Sequence, residues 1–319
     1  MICYNRIISA YNVIFKLIIL VLSMKKLGLA TALLLAMTGA QAYQFQVEGQ
    51  SEQIETENAH NKFTGAVQGT YYLSNVDSKK GPLAEAAFMN QASNVALAYN
   101  YGKYSSSVSD VKFNSQTFGA KAEAYVPTSL VPVYASAAYN HTYQDNKNGV
   151  NDNNGDRYAV EVGAMIAPNF LIAAGYTRVA DKAQATYDAF DILEDGVAKA
   201  GFDRATIGDK KDVATARAKY VGAIDGTNMA LGFEAGLIYG ENTAYTLKSD
   251  LYFTPKLSVG ASYAETSADM PNDNQTIWSA NVNYFVTDDL SVTAKYTSTN
   301  ALGSNPDTQT VGLNAKYRF

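Results

Sequence analysis

The chain has 319 residues, with 25 Lys and Arg against 30 Asp and Glu, 23 Tyr and 13 Phe but a single Trp, and a mean hydropathy of −0.15. That length holds either two ordinary soluble domains or one large barrel. Only the N-terminal end carries an apolar run near the roughly 18 residues of a membrane-crossing helix, which excludes a multi-span helical membrane protein. An acidic balance also argues against nucleic acid as a partner, since that partner demands a basic footprint.

In chain order, the first 42 residues read as two pieces. Met24-Lys25-Lys26 opens a charged region, Leu27 to Met37 are an apolar core, and Ala40-Gln41-Ala42 is an A-x-A cleavage site. These are the parts of a secretory signal peptide over 24–42, with a mature start expected at Tyr43. Secretion needs no second apolar segment upstream of it. Residues 1–23 are therefore read first as an upstream extension from a start assigned too early, and second as an extended signal or anchor. Removal of 1–42 takes away Arg6, Lys16, Lys25, Lys26 and no acid, so 25 less four leaves 21 basic residues against 30 acidic ones, a formal charge of −9. The one cysteine, Cys3, leaves too, and with it any disulfide framework or thiolate site.

From Tyr43 onward the dominant signal is period-two alternation, the mark of strands with one apolar face. "FLIAAGY" (170–176), "LSVGASY" (257–263) and "LSVTAKY" (290–296) share one template, and "VYASAAY" (133–139) nearly matches it. The alternation predicts strands at 44–55, 62–73, 94–104, 113–126, 131–143, 157–167, 170–180, 213–224, 228–240, 243–254, 257–268, 275–287, 289–300 and 308–319. Breaks such as Ala167-Pro168-Asn169, Thr254-Pro255-Lys256 and Thr287-Asp288-Asp289 suit tight turns. Longer polar stretches lie at the opposite ends (144–156, 266–275, 298–308). Short turns on one side and long loops on the other are the asymmetry of an outer-membrane barrel. An even strand count puts both termini on the short-turn, periplasmic side.

The chain ends in "VGLNAKYRF", alternating to its last ring. Within hydrocarbon each unpaired backbone group costs several kcal/mol, so the last strand is expected to close on the first. The fold class expected is all-β, a transmembrane antiparallel up-and-down barrel of about 14 strands over 43–319, with a long outer loop folded inward.

The alternating C-terminal strand ending in Phe319 resembles the assembly signal of Gram-negative outer-membrane barrels. The signal peptide with "YQF", the block 69–101 and the C-terminal third resemble the small outer-membrane porins described as water channels. "GPLAEAAF" (81–88) is the most specific piece, and the likeness runs from Met24 to Phe319. It implies a single-chain barrel in the outer membrane of a Gram-negative bacterium, passive transport of water and small solutes, and no cofactor. It also implies a monomer, delivered to the barrel-assembly machinery with Tyr317 and Phe319 as the signal.

A charge on the lipid face near mid-bilayer costs about 2–4 kcal/mol, so charged residues opposite the apolar set are expected to line water. This assigns Lys121, Glu123, Arg157, Glu161, Arg217, Lys219, Glu234, Lys248, Asp250, Lys295, Asn314, Lys316 and Arg318 to the lumen. They read as rings that tune passage, or as pairs that plug the interior. Residues 181–212 break the alternation and exceed any ordinary hairpin loop. Phe190, Leu193, Val197 and Ala198 recur at helical spacing there, and Asp188, Asp191, Glu194 and Asp195 are expected to narrow the mouth.

Other motifs weigh less. "DNKNGVNDNNGD" fails as an EF-hand, because counting from Asp145 its sixth and twelfth positions are Val150 and Asp156. His60 and His141 sit near outer strand ends without partners at ligand spacing. Ser136 and Ser262 face inward away from both histidines, and no G-x-S-x-G elbow occurs, so an enzyme is not expected. Tyr43, Tyr71, Tyr99, Tyr139, Tyr176, Tyr263, Tyr296 and Tyr317 recur near strand ends and fit interfacial aromatic girdles, most of them on the lipid face. Only Tyr43 separates the cleavage site from the first strand, so no plug domain is expected. A rival reading is an adhesin or structural barrel with a closed lumen.

Overall fold

The computed structural model describes residues 42–56, 59–105, 112–146, 153–181, 186–207, 212–240, 242–267, 275–301 and 308–319. The signal-peptide segment up to residue 41 and Asp152 of the polar loop lie outside this set, and so does the side chain of His60. Fourteen strands form one closed barrel in which each pairs antiparallel with its neighbours. They are β1 (Ala42–Thr56), β2 (Ala59–Asp77), β3 (Asn94–Ser105), β4 (Lys112–Val126), β5 (Val133–Asn146), β6 (Asn153–Ala167) and β7 (Phe170–Asp181), then β8 (Asp212–Ala223), β9 (Ala230–Tyr239), β10 (Thr243–Thr254), β11 (Leu257–Ser267), β12 (Gln275–Phe285), β13 (Leu290–Ala301) and β14 (Thr308–Arg318). Among the described residues no helix is long and apolar enough to cross a membrane.

Closure occurs where the alternation places it. β1 and β14 pair from Gln46↔Arg318 to Thr56↔Thr308. The seam continues to the last residue: Phe319 N–H donates to the Phe45 carbonyl (2.9 Å), and the Phe319 carbonyl accepts from Gln44 (3.1 Å) and Phe45 (2.8 Å). Phe45 and Phe319 stack at 5.5 Å. On both strands one parity carries the polar set, so Lys316 meets Glu48 (3.3 Å) inside while Val47 stays exposed outside. Leu97 (69% exposed), Val162 (65%), Phe118, Ile172, Val282 and Val292 belong to the same outer face. Exposed apolar side chains on every wall are stable only against lipid.

Among the described residues, two connections fold into the barrel. The expected one, between β7 and β8, is described over 186–207 and is called the inner loop here. Asp188 caps its first helix, α2 (Ala189–Asp195), by accepting from Phe190 N–H at 3.0 Å. The spacing of Phe190, Leu193, Val197 and Ala198 suggested one helix, but Gly196 adopts φ +92° and breaks it, and α3 (Val197–Ile207) follows. The left-handed conformation suits glycine because it has no Cβ. Phe190, Ile192 and Leu193 bury against Ala66, Ala96 and Ala98, three small inward residues that leave room for the helix. Phe202 packs on Ala244, Ala264 and Ile277, across the lumen.

The second inward segment corrects the expectation of short periplasmic turns. Residues 78–93, between β2 and β3, form a strap that carries a 3-10 turn (Leu83–Glu85) and α1 (Ala86–Met89). Leu83 N–H donates to the Pro255 carbonyl (2.9 Å) in the β10–β11 turn, so the strap spans the periplasmic mouth to strands on its far side. Phe88 packs with Tyr134, Met165, Leu171, Val221 and Tyr252. Tyr43 is a further correction. It is 3% exposed, inside the mouth with Tyr72, Val76, Ala86 and Ala92 rather than in the girdle. The inward tyrosines exist because the strap's apolar residues need a seat within a polar lumen.

Candidate functional site

A cavity of about 370 Å³ lies in the lumen, bordered by Glu85 and Phe88 of the strap and by Phe190, Leu193 and Glu194 of the inner loop. Its wall comprises Glu48, Lys121, Glu123, Arg217, Lys219, Glu234, Lys248, Asp250, Lys295, Asn314 and Lys316, together with uncharged residues. Strand periodicity explains their convergence, since alternate residues of successive strands aim at one interior.

The charges are arranged in pairs. Lys121 meets Glu123 at 3.1 Å, and Glu123 also accepts from Tyr134 (2.8 Å) and Asn94 (3.0 Å). Arg217 grips Glu161 with two bonds (2.7 and 3.2 Å), donates to the Tyr134 hydroxyl (3.1 Å) and lies 3.7 Å from Glu234. Lys219 reaches Glu85 of the strap at 3.0 Å and Glu234 at 3.8 Å. Lys248 meets Glu194 (3.1 Å) and Asp195 (3.5 Å), while Lys295 meets Asp195 at 3.3 Å. Asn314 donates to Glu48 at 2.7 Å.

Six residues assigned to the lumen or its mouth sit apart from the cavity: Arg157, Glu161, Arg318, Asp188, Asp191 and Asp195. Arg157 pairs with Asp188 (3.4 Å) and Asp191 (3.8 Å), fixing α2 to the wall. Of the four loop acids, Glu194 alone borders the cavity. Arg318 is 2% exposed; it donates to Gln46 (3.2 Å) and to the Leu83 carbonyl (2.7 Å) between the rings of Tyr43 and Phe285. It clamps the strap, because a guanidinium buried at the mouth must fill its donors with protein acceptors.

The inserted segments set their own protonation. Lys248 holds Glu194 well below the usual carboxylate range. Burial opposes ionisation of Glu85, but Lys219 and the Tyr252 hydroxyl outweigh it and its pKa falls. Burial, followed by the neighbouring Asp188, pushes Asp191 well above its ordinary value.

Glu48 and Glu85 were missed at the level of sequence. The available signal for Glu85 was length, since 74–93 is too long for a periplasmic turn and carries Leu83, Ala86 and Phe88. His141, on the outer face, meets Asp156 at 2.6 Å, and the same carboxylate oxygen accepts from Tyr139 at 2.6 Å.

The model of a family described as "Putative general bacterial porin" matches residues 15–319. The chain belongs to that family. This porin is 46% identical to the outer membrane protein Omp33 of Acinetobacter baumannii in its crystal structure, with 88% of this chain and 100% of that one covered and a TM-score of 0.64. A Pseudomonas aeruginosa FadL homologue covers 87% of this porin and 90% of its own chain at 10% identity and a TM-score of 0.47. The COG4313 outer membrane channel of Pseudomonas putida F1 covers 88% and 97% at 10% identity and a TM-score of 0.44. No curated protein matches. This porin is an outer-membrane β-barrel of the Gram-negative type, with lipid outside and a polar lumen within.

Proposed function

We propose that this porin is a passive diffusion channel for water and small hydrophilic solutes. It works as a monomer, without cofactor, energy source or catalysis. Its signal peptide is removed before Tyr43, and the barrel-assembly machinery reads Tyr317 and Phe319. The observation that carries the reading is the charged cavity between strap and inner loop. A barrel this wide has space that side chains alone do not fill, and the space is lined by groups that hold water. Pore width at the inner loop and the charges on the wall govern selection, as rings of charge do in channels.

A specific observation favours the second reading, a structural or adhesive barrel with a closed lumen. The strap spans one mouth, and the inner loop binds opposite walls nearer the other. A solute must pass both, so conduction depends on their displacement. Proteoliposomes decide between the readings through osmotic water flux and swelling in small sugars, for the full chain and for a chain lacking 183–208. Measurable flux that rises on deletion supports the channel. Vesicles that stay impermeable in both forms would replace it with the closed barrel, and a leak unchanged by the deletion would remove the inner loop as the constriction.

A further inference from the structure

The wall cations differ in what neutralises them. Lys121, Arg217 and Lys316 find strand-borne carboxylates: Glu123, Glu161 and Glu48. Lys248 on β10 and Lys295 on β13 do not. Among the described residues, every ion pair of these two lysines runs to the end of α2. Lys248 reaches Glu194 at 3.1 Å and Asp195 at 3.5 Å; Lys295 reaches Asp195 at 3.3 Å and donates to the Glu194 carbonyl at 3.1 Å. Two ammonium groups from strands three apart thus converge on one carboxylate oxygen, Asp195 Oδ1.

The carboxylates are poorly served by their own helix. Glu194 and Asp195 close α2, whose last turn holds no basic residue. The carbonyl end of a helix carries partial negative charge and disfavours acids, so the lysines are their stabilising partners. The Glu194 side chain is 59% exposed and borders the cavity. Glu194 thus meets Lys248 on the water side, where a solute carboxylate can approach. The lysines are less accessible, at 21% and 13%, and are anchored on the barrel wall. The lasting feature is therefore the pair of wall ammoniums, and the loop carboxylates are its replaceable occupants.

We infer that Lys248 and Lys295 form an anion subsite of the pore, taking the carboxylate groups of small organic acids, which Glu194 and Asp195 occupy in their absence. The inference rests on the channel reading and assigns its preferred solute class. A permeating dicarboxylate exchanges for the loop carboxylates at both ammoniums, and no covalent step is involved. When the end of α2 moves away, Lys248 keeps the longer-range fields of Glu234, Asp250 and the strap's Glu85, and Lys295 that of Glu52, none of them an ion pair among the described residues. Both lysines then present a positive site facing the cavity.

The test uses the full chain in proteoliposomes, with uptake of glutarate measured against uptake of neutral glycerol. In the Glu194→Gln/Asp195→Asn variant, which keeps α2 but removes the competing charge, the glutarate-to-glycerol ratio is expected to rise several-fold. In Lys248→Gln/Lys295→Gln the ratio falls below that of the parent chain. Ratios equal in all three forms would overturn the subsite while leaving the channel intact. A calorimetric titration of glutarate into the detergent-purified protein reads the site without permeation. Binding in the acid-neutralised variant, lost when Lys248 and Lys295 are also replaced, supports the inference. Absence of binding in the acid-neutralised variant overturns it. If glycerol itself enters no vesicle, the channel reading fails and the titration alone decides the subsite.

Discussion

Arg318 on the last strand donates a 2.7 Å hydrogen bond to the carbonyl of Leu83 in the strap, with its guanidinium 4.7 Å from the Tyr43 ring centre and 4.8 Å from that of Phe285. The residue next to the chain terminus thereby holds down a segment more than two hundred positions earlier. A charged hydrogen bond and a desolvated cation–π contact together contribute about 2–4 kcal/mol to strap docking. Arg318→Met keeps the stem and removes both. The released fraction of the strap is expected to rise tens- to hundreds-fold, at about 1.4 kcal/mol per decade, and osmotic water flux with it. Heat-modifiable migration checks that the barrel still closes. Unchanged flux in a correctly closed barrel would mean that the strap does not limit passage.

Gly119 on β4 faces the first turn of α2. A Cβ there would crowd the Asn140 carboxamide oxygen, meet Phe190 Cε2 at 2.9 Å and Ala189 Cβ at 3.3 Å. Asn140 already accepts from Ala189 N–H at 3.0 Å, so the helix has no slack on that side. Gly119→Ala is expected to weaken inner-loop docking by about 1–3 kcal/mol through overpacking, with little effect on the strands. Faster proteolysis within 186–207 at an unchanged barrel melting temperature is the signature. Equal cleavage rates would show that the helix shifts at no cost.

The barrel was legible because period two survives in every strand. Its inward and outward residues differ in kind, as with Val47 against Glu48 or Leu313 against Asn314, and a one-residue slip would invert each wall. The end of β2 and the strap were not legible. β2 runs on to Asp77, four residues past its expected end, and its inward residues there, Tyr72 and Val76, are apolar because they meet the strap rather than water. Tyr43 shares the parity of the outward Phe45 and Val47, but a register shift between Tyr43 and Phe45 turns it inward, and alternation alone does not show such a shift. Charge pairing was likewise invisible. The sequence marks Arg318 as inward, but its contact with Leu83 depends on how residues 78–93 fold.

Asp191 gives the inner loop a pH response. The charged groups that face it are Asp188, Arg157, Asp203 and Lys199, and burial with Asp188 raises its pKa well above the usual 3.8. A carboxyl whose pKa is higher in the docked state takes up its proton on docking. Docking of the loop therefore strengthens as pH falls through the raised value, and the gain is complete below about 3.8, where Asp191 is protonated in both states. Amide exchange of α2, taken relative to the intrinsic rate at each pH, is expected to slow on acidification from neutral pH, and Asp191→Asn should abolish that dependence while protecting α2 at neutral pH. Exchange that quickens on mild acidification in the parent chain would reverse the sign and point to Glu194 or Asp195 as the controlling group.

The terminal residue closes the cylinder. Phe319 contributes three backbone bonds to β1, two accepted by its carbonyl and one donated by its N–H, besides stacking on Phe45. Deletion of Phe319 leaves the Phe45 carbonyl and the N–H groups of Gln44 and Phe45 without these partners at the rim of the membrane, where each unmet group costs free energy that water only partly returns. Replacement by Ala keeps the backbone bonds and removes the ring. The deletion is expected to slow appearance of the heat-modifiable closed form more than Phe319→Ala does, and pulse-labelled assembly separates the two contributions. If Phe319→Ala is the slower, the ring and its recognition outweigh the seam.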